Sequence, residues 1–218
     1  MVPLRRGPEP EILVEKGAAW TAKYLQRRVT DPKLRPLKEQ YRHPDVLRAL
    51  QRMSHRKCFY CERALADGEQ KIDHYIEVAE RPDLAFRWIN LYLCCEGCNE
   101  KKETNLRLPV AACVDPCDPA TPPGDHLVFV DERIEPKGGS PRGRATIDKY
   151  DLDRVELNYA RACALRQFDR TLETILRRMA SEQRGELAEQ ELALLRAWAE
   201  PVRPFSKMIA DRLRAAGL

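Results

Sequence analysis

The chain has 218 residues, a formal net charge of +4 and eight cysteines. That length can bury a core of its own. No apolar run approaches the roughly eighteen residues a membrane span needs, and the start, Met1-Val-Pro-Leu-Arg-Arg6, lacks the apolar stretch of a secretory signal, so a cytoplasmic protein is expected. Four of the cysteines form two Cys-x-x-Cys pairs, which suits metal binding in a reducing compartment better than the alternative of a disulfide framework. Charge is unevenly spread: residues 1–57 hold fourteen Lys and Arg against six Asp and Glu, a balance of +8, leaving 24 against 28, or −4, in the rest. A basic surface of this kind attracts polyanions, because cations that neutralise phosphates release condensed counterions.

In chain order, Pro3, Gly7, Pro8 and Pro10 predict an extended lead-in over residues 1–17. A helix is expected over Ala18 to Arg28, and after the turns at Asp31-Pro32 and Arg35-Pro36 a second one starting at Pro44 and running to about Met53. On the second helix Arg48, Arg52 and Arg56 repeat every four residues, while Val46, Leu47, Leu50 and Met53 lie roughly opposite. The arginine stripe reads either as a nucleic-acid contact or as an ordinary solvated face. Strands are expected to end at His74 and to cover Leu91 to Cys94, followed by a helix over Glu96 to Glu103. Beyond Pro109 a Pro-, Gly- and Asp-rich stretch holds a surface hairpin of His126–Val130 and Arg133–Glu135, and the C-terminal part is helical, from about Leu165 to Met179, Leu187 to Trp198, and onward from Pro204. The expected organisation is a basic helical region (1–57), a motif region (58–108), a loop and hairpin (109–150) and a helical region (151–218), all in one compact unit of α+β class.

The motif region carries the chemistry. Cys58 and Cys61 on one knuckle, Cys95 and Cys98 on another, can close a tetrahedral zinc site; with four protein ligands such a site is structural and has no position left for an activated water. Thirty-three residues separate the knuckles, so something folded is inserted between them, and the insert contains Asp73-His74. A neutral imidazole, with its ordinary pKa near 6.5, can accept a proton from water at physiological pH, which makes His74 the candidate general base. Asp73 and Asn99 offer a carboxylate and an amide oxygen, hard donors suited to magnesium or manganese, and a bound divalent ion stabilises the charge on a departing oxygen. So sparse a donor set predicts weak metal binding in the free protein and tighter binding with DNA present. One geometric difficulty accompanies this assignment: adjacent strand residues point to opposite faces, so Asp73 and His74 can serve one phosphate only where the strand ends.

The order Cys-x-x-Cys, Asp-His, Asn-Leu, Cys-x-x-Cys-Asn-x-x-Lys resembles the HNH endonucleases with a ββα-metal core. The resemblance implies His74 as base, Asp73 and Asn99 as metal ligands, Asn90 as the residue that ties down the loop between the strands, and Lys102, with Lys101 beside it, as a phosphate contact. A wider likeness, through Tyr60-Cys-Glu62, Arg81 to Asn90, Asp115-Pro-Cys-Asp118 and Pro204-Phe-Ser206, is to the PtuB-type HNH proteins of Septu and retron defence systems, which implies an ATPase partner and action against phage. The competing expectation is an inactive zinc-stabilised nucleic-acid-binding module, which would share the zinc and the basic face without a second metal. Redox chemistry at the thiol pairs is disfavoured, because two pairs more economically share one metal. Cys113 and Cys117 lack further ligands and read as structural, and Cys163 as core.

Overall fold

The structure, a computed structural model, describes residues 1–104 and 107–218. Its elements are α1 (Glu11–Thr30), α2 (Lys38–Tyr41), α3 (Pro44–Ser54), β1 (Lys71–His74), β2 (Leu91–Cys94), α4 (Glu96–Thr104), α5 (Pro123–His126), β3 (Leu127–Val130), β4 (Arg133–Pro136), α6 (Pro141–Tyr150), α7 (Val155–Ser181), α8 (Glu189–Ala197) and α9 (Ser206–Ala215). The class is α+β, with two small antiparallel sheets, β1-β2 and β3-β4, among helices. Among the described residues no helix is long and apolar enough to cross a membrane.

The strands β1 and β2 pair with Asp73 opposite Tyr92 and His74 opposite Leu91, and α4 follows one residue after β2 and returns against β1. β1 ends at His74, as the motif requires. Every residue of β2 is buried, because knuckles and helices cover both of its faces. α3 forms where Pro44 occupies the first helical position and the His43 side chain accepts from Asp45 N at 3.3 Å. It buries Val46 and Leu50 completely; truncating Leu50 to Ala would cost about 2–5 kcal/mol.

The sequence-based expectations depart from the structure at several elements. α1 begins at Glu11 rather than Ala18, with Pro10 as its N-cap and a glutamate in its first turn, so only residues 1–10 are extended. Gly17 lies inside this helix where a Cβ would sit 3.4 Å from the Phe86 carbonyl, and α1 packs closely on the loop between β1 and β2. α6, unanticipated, starts from a Ser140 cap whose hydroxyl accepts from Gly143 N at 3.1 Å. A Cβ at Gly143 would come within 2.1 Å of the His126 carbonyl, so this glycine is demanded by close approach and does not break the helix. The hairpin β3-β4 has one face on the surface, with Val130, Arg133 and Glu135 exposed, and one face in the core: Leu127, Phe129 and Ile134 are buried, and α9 lies on it with Asp211 accepting from Phe129 N at 3.0 Å. Cys163 is half-buried rather than core.

The apolar faces of the C-terminal helices, through Leu165, Phe168, Ile175, Leu195, Met208, Ile209 and Leu213, close on the same core as β1, β2 and the knuckles. Glu62 fastens that junction. Its carboxylate accepts from Ser206 Oγ at 3.1 Å and Lys207 N at 3.2 Å, so the Tyr60-Cys-Glu62 and Pro204-Phe-Ser206 segments meet in one buried contact. A second, smaller cluster of Tyr24, Val78, Ala85 and Phe86 seats α1 on the loop between the strands.

Candidate active site and metal centre

The first knuckle turns tightly: Glu62 N donates to Cys58 O, and Glu62 takes φ 65°. The second is the start of α4. Together they bring the ligand atoms of Cys58, Cys61, Cys95 and Cys98 within 4.8 Å of one another, all four residues buried. Cys61 Sγ and Cys95 Sγ are 3.8 Å apart, the edge of a tetrahedron with metal–sulfur bonds of about 2.3 Å. The four can hold a metal ion such as zinc. Hydrogen bonds from the other three thiols hold the Cys95 thiol well below its ordinary pKa. Arg154, which the sequence did not single out, places Nη2 3.6 Å from Cys98 Sγ and 3.9 Å from Cys95 Sγ, a charge that offsets the thiolates. Cys113 and Cys117 contribute to no such cluster among the described residues.

Tyr60 links this frame to the second cluster. Lying between Cys58 and Cys61, it is fully buried, stacks on Tyr150 with ring centroids 4.0 Å apart, and donates its hydroxyl to Asp73 Oδ2 at 2.5 Å. Burial, with Asp73 beside it, raises the Tyr60 phenol well above its ordinary pKa, so it remains a donor. Its place inside the Cys-x-x-Cys turn was the available signal.

His74 stands half-buried at the end of β1. Its Nε2 lies 2.8 Å from the Ala85 carbonyl. A carbonyl only accepts, so Nε2 carries the hydrogen and the neutral ring keeps its lone pair on Nδ1. The Tyr41 ring meets the imidazole edge-on at 4.8 Å. Burial lowers the His74 pKa, against the raising effects of Ala85 O and Asp73. Asn90 braces the loop that supplies Ala85: Oδ1 accepts from Ile76 N at 2.7 Å and Nδ2 donates to Ile76 O at 3.0 Å and Leu84 O at 3.3 Å. Arg6 clamps the far end of that loop, donating to the carbonyls of Trp88, Ile89 and Leu91, so at least one cation of the basic N-terminal region serves the fold.

Asp73, His74, Asn99 and Lys102 line one cleft of about 410 Å³. Because β1 ends at His74 and the chain bends away, the adjacent Asp73 and His74 both reach it. Lys102, expected as a phosphate contact, is engaged inside the protein. It is 1% exposed and donates to Asp73 Oδ1 at 2.8 Å, to Oδ2 at 2.9 Å and to the His74 carbonyl. Lys101 turns away to Asp151, 2.9 Å distant. Of the arginine stripe, Arg48 pairs with Asp45 and Arg56 with Asp67, and Arg52 is exposed; none of the three lines the cleft.

One carboxylate and one amide oxygen suit a hard divalent cation that keeps most of its waters. Asn99 Oδ1 lies 3.8 Å from the Cys94 thiol, and Asp73 Oδ1 accepts from Lys102. The Lys102 ammonium already balances the carboxylate, so a metal at Asp73 would compete with it.

No family model matches the chain. The chain is 28% identical over 161 residues, covering 72% of it and 56% of the relative, to the Septu protein PtuB of Bacillus thuringiensis. To the Septu protein PtuB of Bacillus mycoides (strain KBAB4) it is 29% identical over 156 residues, covering 57% and 52%. The chain is similar to Septu PtuB proteins. It spans about half the length of these curated relatives.

Proposed function

We propose that the chain is an HNH endonuclease that hydrolyses phosphodiester bonds, DNA before RNA, as the effector of a cytoplasmic anti-phage defence system of the Septu kind, acting with an ATPase partner. The observation that carries the nuclease assignment is the hydrogen bond from His74 Nε2 to Ala85 O at 2.8 Å, which leaves Nδ1 to take a proton beside Asp73 and Asn99. The defence role rests on the likeness to the two Septu PtuB proteins.

His74 Nδ1 removes a proton from the attacking water, and the Ala85 carbonyl holds the imidazole in the required tautomer and steadies the imidazolium that forms. Asn90 keeps that carbonyl in place by closing the loop. Asp73 and Asn99 would hold magnesium or manganese, which when bound supplies Lewis-acid stabilisation of the departing oxygen. Cys58, Cys61, Cys95 and Cys98 would hold zinc and anchor both the Tyr60 turn and the start of α4.

One observation favours a second reading, an inactive nucleic-acid-binding module: the buried ammonium of Lys102 sits against both oxygens of Asp73, where a catalytic ion would bind. Incubating purified protein with supercoiled plasmid and magnesium or manganese, with and without the co-expressed ATPase and beside His74→Ala, separates the two. Metal-dependent nicking lost in the variant supports the nuclease. Binding without nicking in every condition, by protein that retains zinc, supports the module.

A further inference from the structure

We infer that the nucleic-acid backbone is gripped by Arg35, Lys38 and Arg42, on and beside α2, rather than by the stripe of Arg48, Arg52 and Arg56. This rests on the nuclease reading and names the surface its substrate would cross. All three side chains are exposed and line the same cleft as His74. Arg35 and Lys38 enter no ion pair among the described residues, and Arg42 is tied through a hydrogen bond to the Gln70 carbonyl at 3.2 Å. Their positive charge therefore remains available to a ligand.

Neutralisation elsewhere makes the contrast. Lys71 on the same wall is engaged by Glu96 at 3.0 Å, and the acid Glu77 by Lys149 at 3.3 Å. Lys102 is spent on Asp73. Of the stripe, Arg48 is paired with Asp45, and Arg56, two residues beyond α3, with Asp67, while Arg52 does not line the cleft. Among the described residues, the cations lining the cleft that enter no ion pair thus lie on and beside α2, and a polyanionic strand laid there would place a phosphate against His74.

The segment is also held rigidly. Tyr24 donates its hydroxyl to Leu34 O at 3.0 Å, Pro36 is buried, and Arg28 donates to Val78 O at 2.6 Å, joining the end of α1 to the loop that follows His74. Cations on a fixed backbone grip phosphates with little ordering cost. The sequence carried the charges, but only the fold puts them beside Asp73-His74, about thirty to forty residues away in the chain.

The test is duplex binding by fluorescence anisotropy from 50 to 200 mM salt, without added divalent ion and in the His74→Ala background so that no substrate is consumed. Arg35→Ala/Lys38→Ala/Arg42→Ala is compared with Arg48→Ala/Arg52→Ala/Arg56→Ala. Each phosphate that is no longer neutralised lowers the slope of log K against log salt by about 0.9, so the α2 triple should reduce it by about 2–3 and weaken binding at least tenfold, while the α3 triple leaves it nearly unchanged. Circular dichroism and thermal midpoints confirm that both remain folded. Equal weakening in the two triples, or none in the α2 triple, overturns the inference while the parent's binding leaves the nuclease reading standing. A parent that binds no nucleic acid overturns both.

Discussion

Tyr60 and Asp73 are joined by a 2.5 Å hydrogen bond in a fully buried setting, and Tyr60 is held there because it lies between two cysteines of the metal-binding cluster. The four-cysteine cluster that can hold a metal and the candidate catalytic carboxylate therefore share one rigid connection. A hydrogen bond to a charged group contributes about 1.5–3 kcal/mol. Tyr60→Phe should lower stability by that amount in urea denaturation and leave the metal content unchanged; a change below about 0.5 kcal/mol would show that Asp73 does not depend on the phenol.

Replacing Cys61 with Ser should abolish tetrahedral binding, since a structural zinc is folding free energy for the segment it pins. The expected outcome is loss of zinc by elemental analysis, with hydrogen exchange spreading from the knuckles to β1 and His74. Exchange confined to residues 58–62 would contradict the coupling.

Lys102→Met removes the cation that compensates a buried carboxylate, at a cost of about 3–5 kcal/mol. If Asp73 Oδ1 is a metal ligand, magnesium should raise the thermal midpoint of this variant by more than that of the parent, because metal and ammonium compete for one charge. An identical magnesium response in both proteins would remove Asp73 from the ligand set.

The His74 pKa is lowered chiefly by burial, so the neutral, proton-accepting ring persists as pH falls to its ordinary value near 6.5 and is lost only below it. Single-turnover cleavage should therefore hold level from pH 8 to about 6.5 and decline at lower pH, and protonating the folded protein in that range also costs stability, since the unfolded chain binds the proton more readily. A midpoint above 6.5 would contradict the assignment.

What the sequence disclosed, it disclosed locally. The end of β1, the bounds of β2 and the start of α4 followed from the residues around Asp73-His74 and Cys95-Cys98, and the four thiols meet as their pair spacing implies. Features set by distant approach were not legible. The helix through Gly143 is hidden in a Pro-, Gly- and Asp-rich stretch until the His126 carbonyl is seen against that glycine, and the inner face of the hairpin is legible only once α9 covers it. Lys102 reads as a phosphate contact because nothing in its neighbours reveals that α4 swings it onto Asp73. Likewise the charges of Arg48 and Arg56 are offset by Asp45 and Asp67, whereas Arg35 and Lys38, unremarkable in the sequence, arrive at the cleft.

On the proposed mechanism His74 is the general base. Its most direct test is single-turnover cleavage of a labelled duplex by His74→Ala, in protein shown to retain zinc and duplex affinity. A drop of about 10²–10⁴-fold, partly restored by added imidazole, is the predicted result. Cleavage within a few-fold of the parent, or an equal loss of duplex binding, would contradict it.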